Sequence, residues 1–264
     1  SHEVQIGVQI GSITNWRSSI DLIMPRDSKL NDVESGGRAL YPMMQEEPEY
    51  RWAFIRKVYA ILSIQILLTT GVSATVVFVP AISNFLMHTK AGLAIFIVSL
   101  ILPFIILISL YAFHRHHPWN FILLSLFTLS ISLGVGLSCS LTQGRIILEA
   151  VILTSAVVIG LTLYTFWGAK RGQDFSFLGP FLAGALLVLI AFGLIQILFP
   201  LGKASQMVYG CLGAIIFCGY IVYDTDAIIK RFSYDEYIWA SVCLYLDVIN
   251  LFLSILQILN GANK

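Results

Sequence analysis

Between Ala53 and Leu259 the chain repeats one pattern seven times: a long apolar run, then a short polar connection. The runs are Ala53–Pro80, Gly92–Phe113, Trp119–Cys139, Ile146–Trp167, Phe177–Pro200, Ser205–Ile228 and Tyr237–Leu259. A helix of ~20 residues, rising ~1.5 Å each, crosses the ~30 Å hydrocarbon layer of a bilayer. The connections hold the expected helix breakers: Pro80, "HRHHP" at 114–118, "TQG" at 142–144, "GAKRGQD" at 168–174 and "PLGK" at 200–203. Pro103 and Pro180 fall inside runs, as lipid-embedded helices tolerate. The pattern predicts an all-α membrane protein, a seven-transmembrane-helix bundle over residues 51–264. Composition agrees. Charged residues are 12% and hydrophobic residues 57%, whereas a soluble domain is roughly 25% charged. A water-soluble enzyme is thereby excluded, and a net charge of +1 leaves no basic face for nucleic acid.

Residues 1–50 are polar and are expected to form a mostly disordered cytosolic tail. The alternation in "VQIGVQIG" has no partner strand to pair with, and the stretch lacks the basic start and apolar run of a signal peptide. Orientation follows from the flanking cations. With the N-terminus cytosolic, that side collects Arg51, Arg56, Lys57, Arg115, Lys170, Arg171, Lys230 and Arg231, against Lys90, Arg145, Lys203 and Lys264 opposite. Trp52, Trp119, Trp167 and Trp239 then share the cytosolic interface, where indoles prefer to sit. The seventh run either crosses fully or re-enters. Small residues at helical spacing (Ser125, Thr128, Ser132 and Gly136 in the third run; Gly210, Gly213, Ala214 and Gly219 in the sixth) predict close helix packing. Cys139, Cys211, Cys218 and Cys243 lie in apolar runs without metal-ligand spacing and read as small hydrophobes.

Few charges remain inside the runs, and each intramembrane acid costs roughly 2.5 kcal/mol or more. Asp247 lies about 15 Å into the last helix by helical rise. Cys243, Asn250, Ser254 and Gln257 project within about 80° of it at ~100° per residue. The opposite face carries Ile238, Val242, Leu246, Ile249, Leu253 and Leu256, suited to neighbours or lipid. The polar stripe is either a structural interhelix contact or the lining of a water or ion pathway. Asp224 and Asp226, two residues apart, cannot both face inward. The short connection after the sixth run forces an antiparallel hairpin, in which Asp224 lies about 7 Å along the axis from Asp247; Asp226 is expected to be solvated or capping near Lys230. Glu149 is either an i,i+4 partner of Arg145 or part of the non-cytosolic mouth of a pathway. The "HRHH" cluster is no metal site, since adjacent histidines do not converge on one ion. "SYDE" at 233–236 resembles a capping box.

The segments "FCGYIVYDTDAIIKR" and "SYDEYIWASVCLYLDVINLFLSILQIL" resemble the signature of the Bax-inhibitor/Lifeguard family. "LTLYTFWGAKRGQDFSFLGPFL" resembles its Golgi anti-apoptotic branch. The resemblance covers roughly Glu46 to Lys264. It implies seven helices with the last one central, and a calcium leak of intracellular membranes (Golgi or endoplasmic reticulum, with vacuolar or plasma membrane as further options) that suppresses programmed cell death. It also implies a pH-sensitive latch formed by Asp224 ("YDTD") and Asp247 ("LYLD"), with calcium held there only in transit and no cofactor. Two carboxylates close together in a low-dielectric site cannot both ionise cheaply, so a proton would belong to the pair. Its loss, or attraction of Ca²⁺, would favour an open path. The pathway-lining candidates are Asn250, Ser254, Gln257 and Glu149. The alternative is a non-conducting regulator acting through cell-death membrane proteins as partners. An intramembrane aspartyl protease is disfavoured because neither "YDTD" nor "LYLD" offers a G-x-G-D context, and a hormone-type receptor because the loops are too short.

Overall fold

The computed structural model describes residues 39–263 apart from 43, 80, 83, 86–88, 114–118 and 200–201. The tail before Ala39 and the "HRHH" cluster therefore lie outside the described residues. Seven α-helices carry the rest: α1 (Pro48–Phe78), α2 (Lys90–Phe113), α3 (Trp119–Ser140), α4 (Gly144–Lys170), α5 (Leu178–Leu198), α6 (Gly202–Lys230) and α7 (Tyr237–Ala262). There is no strand among the described residues. Among the described residues, six of these helices are long and apolar enough to cross a membrane. The α1 helix starts ahead of its apolar run because Pro48 occupies its first turn, where a fixed φ and a missing N–H cost nothing.

Successive helices alternate in direction. The start of α1 meets the α6–α7 loop, where Arg51 donates to the Phe232 carbonyl at 2.7 Å. Near the far end, Gly136 of α3 lies against Ser73 and Val76 of α1, so α1 and α3 run parallel. We call the end holding the α6–α7 loop proximal and the other distal. The α7 helix packs on α1, α3, α4 and α6, whereas α5 packs chiefly on α6. Accordingly 56% of the apolar window of α7 is buried against 11% for α5. Ile238, Val242, Ile249 and Leu256 of α7 are all buried and face neighbouring helices, not lipid. The exposed side chains of α5, including Phe181, Leu187, Val188 and Leu198, are apolar and suit a hydrocarbon surrounding.

In lipid no hydrophobic force joins helices, so close packing and polar contacts must do it. A buried network answers this between α1, α3 and α7. Gln65 donates to Thr128 Oγ1 at 3.1 Å, Ser132 donates to Thr69 Oγ1 at 3.1 Å, and Thr69 and Tyr245 share a hydrogen bond of 2.8 Å. Such bonds average about 0.6 kcal/mol each in membrane bundles.

The segment ahead of α1 is packed rather than loose. Leu40 is buried in the core with Tyr41 and Met44 against it, and Glu46 accepts from Arg51 at 2.6 Å and from the Tyr234 hydroxyl at 2.6 Å. The Arg51 guanidinium is buried and also covers the Tyr234 ring, 4.8 Å from its centroid. This strap ties residues 39–47 to the α6–α7 loop. The Tyr234 hydrogen bond, helped by the Arg51 guanidinium, holds the Glu46 carboxyl below its ordinary value of 4.5. A carboxyl depressed in the folded state stabilises above its unfolded value, and that contribution is lost as pH falls through the folded one. Glu46 is well exposed, so the effect is about 1 kcal/mol or less. The thermal midpoint of Glu46→Gln should lie below wild type at neutral pH, and the gap should close below pH 4.5.

Candidate functional site: a buried carboxyl pair between α6 and α7

The hairpin that holds the site is closed by its own backbone. Arg231 and Phe232 N–H groups both return to the Ala227 carbonyl, and Ala240 N–H to the Glu236 carbonyl. Of the capping box expected over "SYDE", one half forms: the Glu236 carboxylate accepts from the Ser233 N–H at 3.1 Å. The helix itself begins one residue after Glu236, without a side-chain cap. A six-residue loop, 231–236, then sets α6 and α7 antiparallel.

This hairpin places Asp224 and Asp247 side by side. Both are buried, at 9% and 5% exposure, and their carboxyl groups lie close enough to act on each other directly. A carboxylate only accepts, so a hydrogen bond between the two would require a proton on one of them. Two anions at this separation would repel in a dry site. The second oxygen of Asp247 has no protein partner. Cys243 lies one turn before Asp247, and Tyr220 one turn before Asp224.

Asp226 differs from its expected place. It is not solvated but 0% exposed, and its carboxylate meets Lys230 at 2.7 Å and Arg231 at 3.4 Å. The ~200° between Asp224 and Asp226 does send them to different sides, yet both sides are covered: α7 covers one, and the last turn of α6 with the α4–α5 loop covers the other. Lys230 also donates to the Gln173 carbonyl, and Arg231 approaches Asp174 at 4.0 Å.

The remaining candidates are dispersed. The Asn250 amide donates to the Leu246 carbonyl and the Ser254 hydroxyl to the Asn250 carbonyl, both within α7. Ser254 lies directly on Gly213 of α6, and Gln257 on Gly210. The polar ridge of α7 and the small-residue face of α6 therefore form one tight seam. Glu149 sits at the distal start of α4, bonded to an exposed Arg145 at 3.0 Å, away from the acid pair. Sequence reasoning missed Gln65, Thr69 and Ser73 of α1. Their four-residue spacing is the available signal, and it aligns them with Thr128, Ser132 and Tyr245. Among the described residues no three His, Cys, Asp or Glu side chains converge on a metal position. Two carboxylates supply fewer oxygens than the roughly six to eight that Ca²⁺ takes.

Architecture and site together define a multi-pass helical membrane protein whose last two helices bury an acid pair. Comparison with known proteins makes the class specific. The family model "Inhibitor of apoptosis-promoting Bax1" matches residues 51–264. The chain is 61% identical to Protein LIFEGUARD 2 of Arabidopsis thaliana over 89% of its length and 98% of that relative. It is 40% identical to Protein lifeguard 4 of Mus musculus, covering 81% of this chain and 87% of the relative. It is 37% identical to the Golgi anti-apoptotic protein of Vaccinia virus (strain Lister), over 92% of this chain and 100% of the relative. The chain belongs to the Bax-inhibitor/Lifeguard family.

Proposed function

We propose that this chain is a passive calcium leak of endomembranes, Golgi or endoplasmic reticulum, that lowers stored calcium and thereby restrains programmed cell death. In this reading all seven helices span the bilayer, α7 is central and the proximal end is cytosolic. The excess of Arg and Lys at that end supports the orientation, and the packing of α7 on four neighbours supports its place. Asp224 and Asp247 form the latch. With one shared proton they tie α6 to α7; losing it, or meeting Ca²⁺, favours separation of the helices. The anti-apoptotic name of the viral relative supports the physiological direction. The single observation that carries the reading is the pair of neighbouring carboxyls buried between these helices. In calcium-loaded liposomes, efflux through the wild-type protein should rise severalfold between acidic and neutral pH. Asp224→Asn and Asp247→Asn should each abolish that dependence. Unchanged efflux and pH response in both variants would refute the latch.

A second reading has its own support. Asn250 and Ser254 satisfy themselves within α7, and their ridge packs closely on α6 glycines, as a structural helix–helix seam would. A non-conducting regulator acting through membrane partners is consistent with that seam. It requires binding of those partners to survive neutralisation of both aspartates.

A further inference from the structure

We propose that a crevice between α1 and α4, in the distal half, is a binding site for one hydrocarbon chain of a lipid, entering sideways from the bilayer. Both helices pack on α7; they meet each other near the proximal end, where Trp52 stacks on Phe166, and their backbones stand apart in the distal half. The gap encloses about 320 Å³ and reaches Val248, Ile249 and Phe252 of α7, with Cys139 of α3 at its side. Its mouth is formed by Thr70, Phe78 and Val151, all exposed, and continues into the apolar outer faces of α1 and α4 at Leu67, Leu148 and Ile152.

The occupant follows from what surrounds the mouth. At this height of a spanning bundle the adjoining phase is acyl chain, not water. Of the hydroxyls that line the crevice, those of Thr69, Thr70 and Thr154 donate to carbonyls of their own helices and that of Ser73 to the Ser132 carbonyl of α3, which leaves the exposed Ser155 at the edge as the one without such a bond. An apolar cavity of ~150 Å³ stays dry and accepts benzene; this one is about twice as large. Left empty, it would forfeit dispersion contacts along its whole lining. A chain fits better than a compact ring because the opening is a lateral slot between two helices. The consequence is specific. No residue of α7 from Tyr237 to Gly261 is exposed, so bilayer hydrocarbon meets Val248 and Phe252 only by entering here.

The test uses the full chain in phosphatidylcholine vesicles containing a trace of phosphatidylcholine with a diazirine in mid-chain, irradiated and mapped by peptide mass spectrometry. Label is expected on the 248–252 segment of α7. It should fall at least fivefold in Ala74→Trp, which fills the crevice, and in Ser155→Trp, which blocks the mouth from an exposed position. Label on Leu187 and Val188 of α5 should stay constant, reporting that each variant is folded and embedded. The proposal is overturned if α5 is labelled and the 248–252 segment is not. Equal labelling of that segment in both tryptophan variants and wild type also overturns it, as does its labelling by a water-soluble diazirine alone.

Discussion

Asp226→Ala is expected to lower stability by about 3 kcal/mol, read as a fall in the thermal midpoint of the purified protein. The expectation rests on what the substitution leaves behind. Asp226 is fully buried between Lys230 and Arg231, whose side chains are 15% and 32% exposed. Removing one member of a buried pair strands the other charge and typically costs about 3–5 kcal/mol. Lys230 and Arg231 keep partial solvent contact and a favourable position at the C-terminus of α6, which places the value at the low end. The carboxylate is itself unfavourable there, since the same helix end repels anions; only its two cations retain it. Asp226→Asn should recover part of the loss by keeping a polar group of the same shape between Lys230 and Arg231. A loss in Asp226→Ala below about 0.5 kcal/mol, the range of ordinary surface changes, would show that the carboxylate is not held as described.

Gly210→Leu is expected to destabilise by about 3 kcal/mol, the upper part of the range for overpacking. A Cβ at Gly210 would lie 3.0 Å from the Ser254 carbonyl oxygen and 3.0 Å from Ile258 Cγ1. The first of these is backbone and cannot swing aside. Gly210→Ala asks the seam to open by a few tenths of an ångström; leucine asks for space the seam does not have. The series glycine, alanine, leucine should therefore lower the midpoint stepwise. Gly160→Leu serves as control, because nothing lies within 4 Å of a Cβ there. Equal losses at 160 and 210 would mean that helix propensity and lipid fit dominate, not the α6–α7 contact.

Much of this architecture is written in hydropathy. The runs starting at Trp119 and Tyr237 begin α3 and α7 at the same residues, because an indole or phenol at the interface marks both the start of the apolar run and the first turn. The α1 helix begins earlier than its run because polar Glu49 and Arg51 are helical, and hydropathy does not register a turn stabilised by an ion pair and a loop carbonyl. The juxtaposition of Asp224 and Asp247 was legible from hairpin length alone. The burial of Asp226 was not: neighbouring cations suggest a solvated acid equally well, and only the α4–α5 loop covering them decides. The α1 stripe of Gln65, Thr69 and Ser73 escaped because a hydroxyl in a spanning helix usually bonds its own backbone. Thr69 does so and additionally meets Tyr245, which no single-helix pattern reveals.

In the proposed latch one proton is shared by two carboxyls from adjacent helices. Difference infrared spectroscopy of the vesicle-embedded protein, with aspartate carboxyls isotopically labelled, addresses it directly. One protonated and one ionised carboxyl signal should be present in the resting protein, and substituting asparagine at either position 224 or 247 should remove the coupled pattern of both. Two independent ionised carboxylates at positions 224 and 247 would contradict the claim.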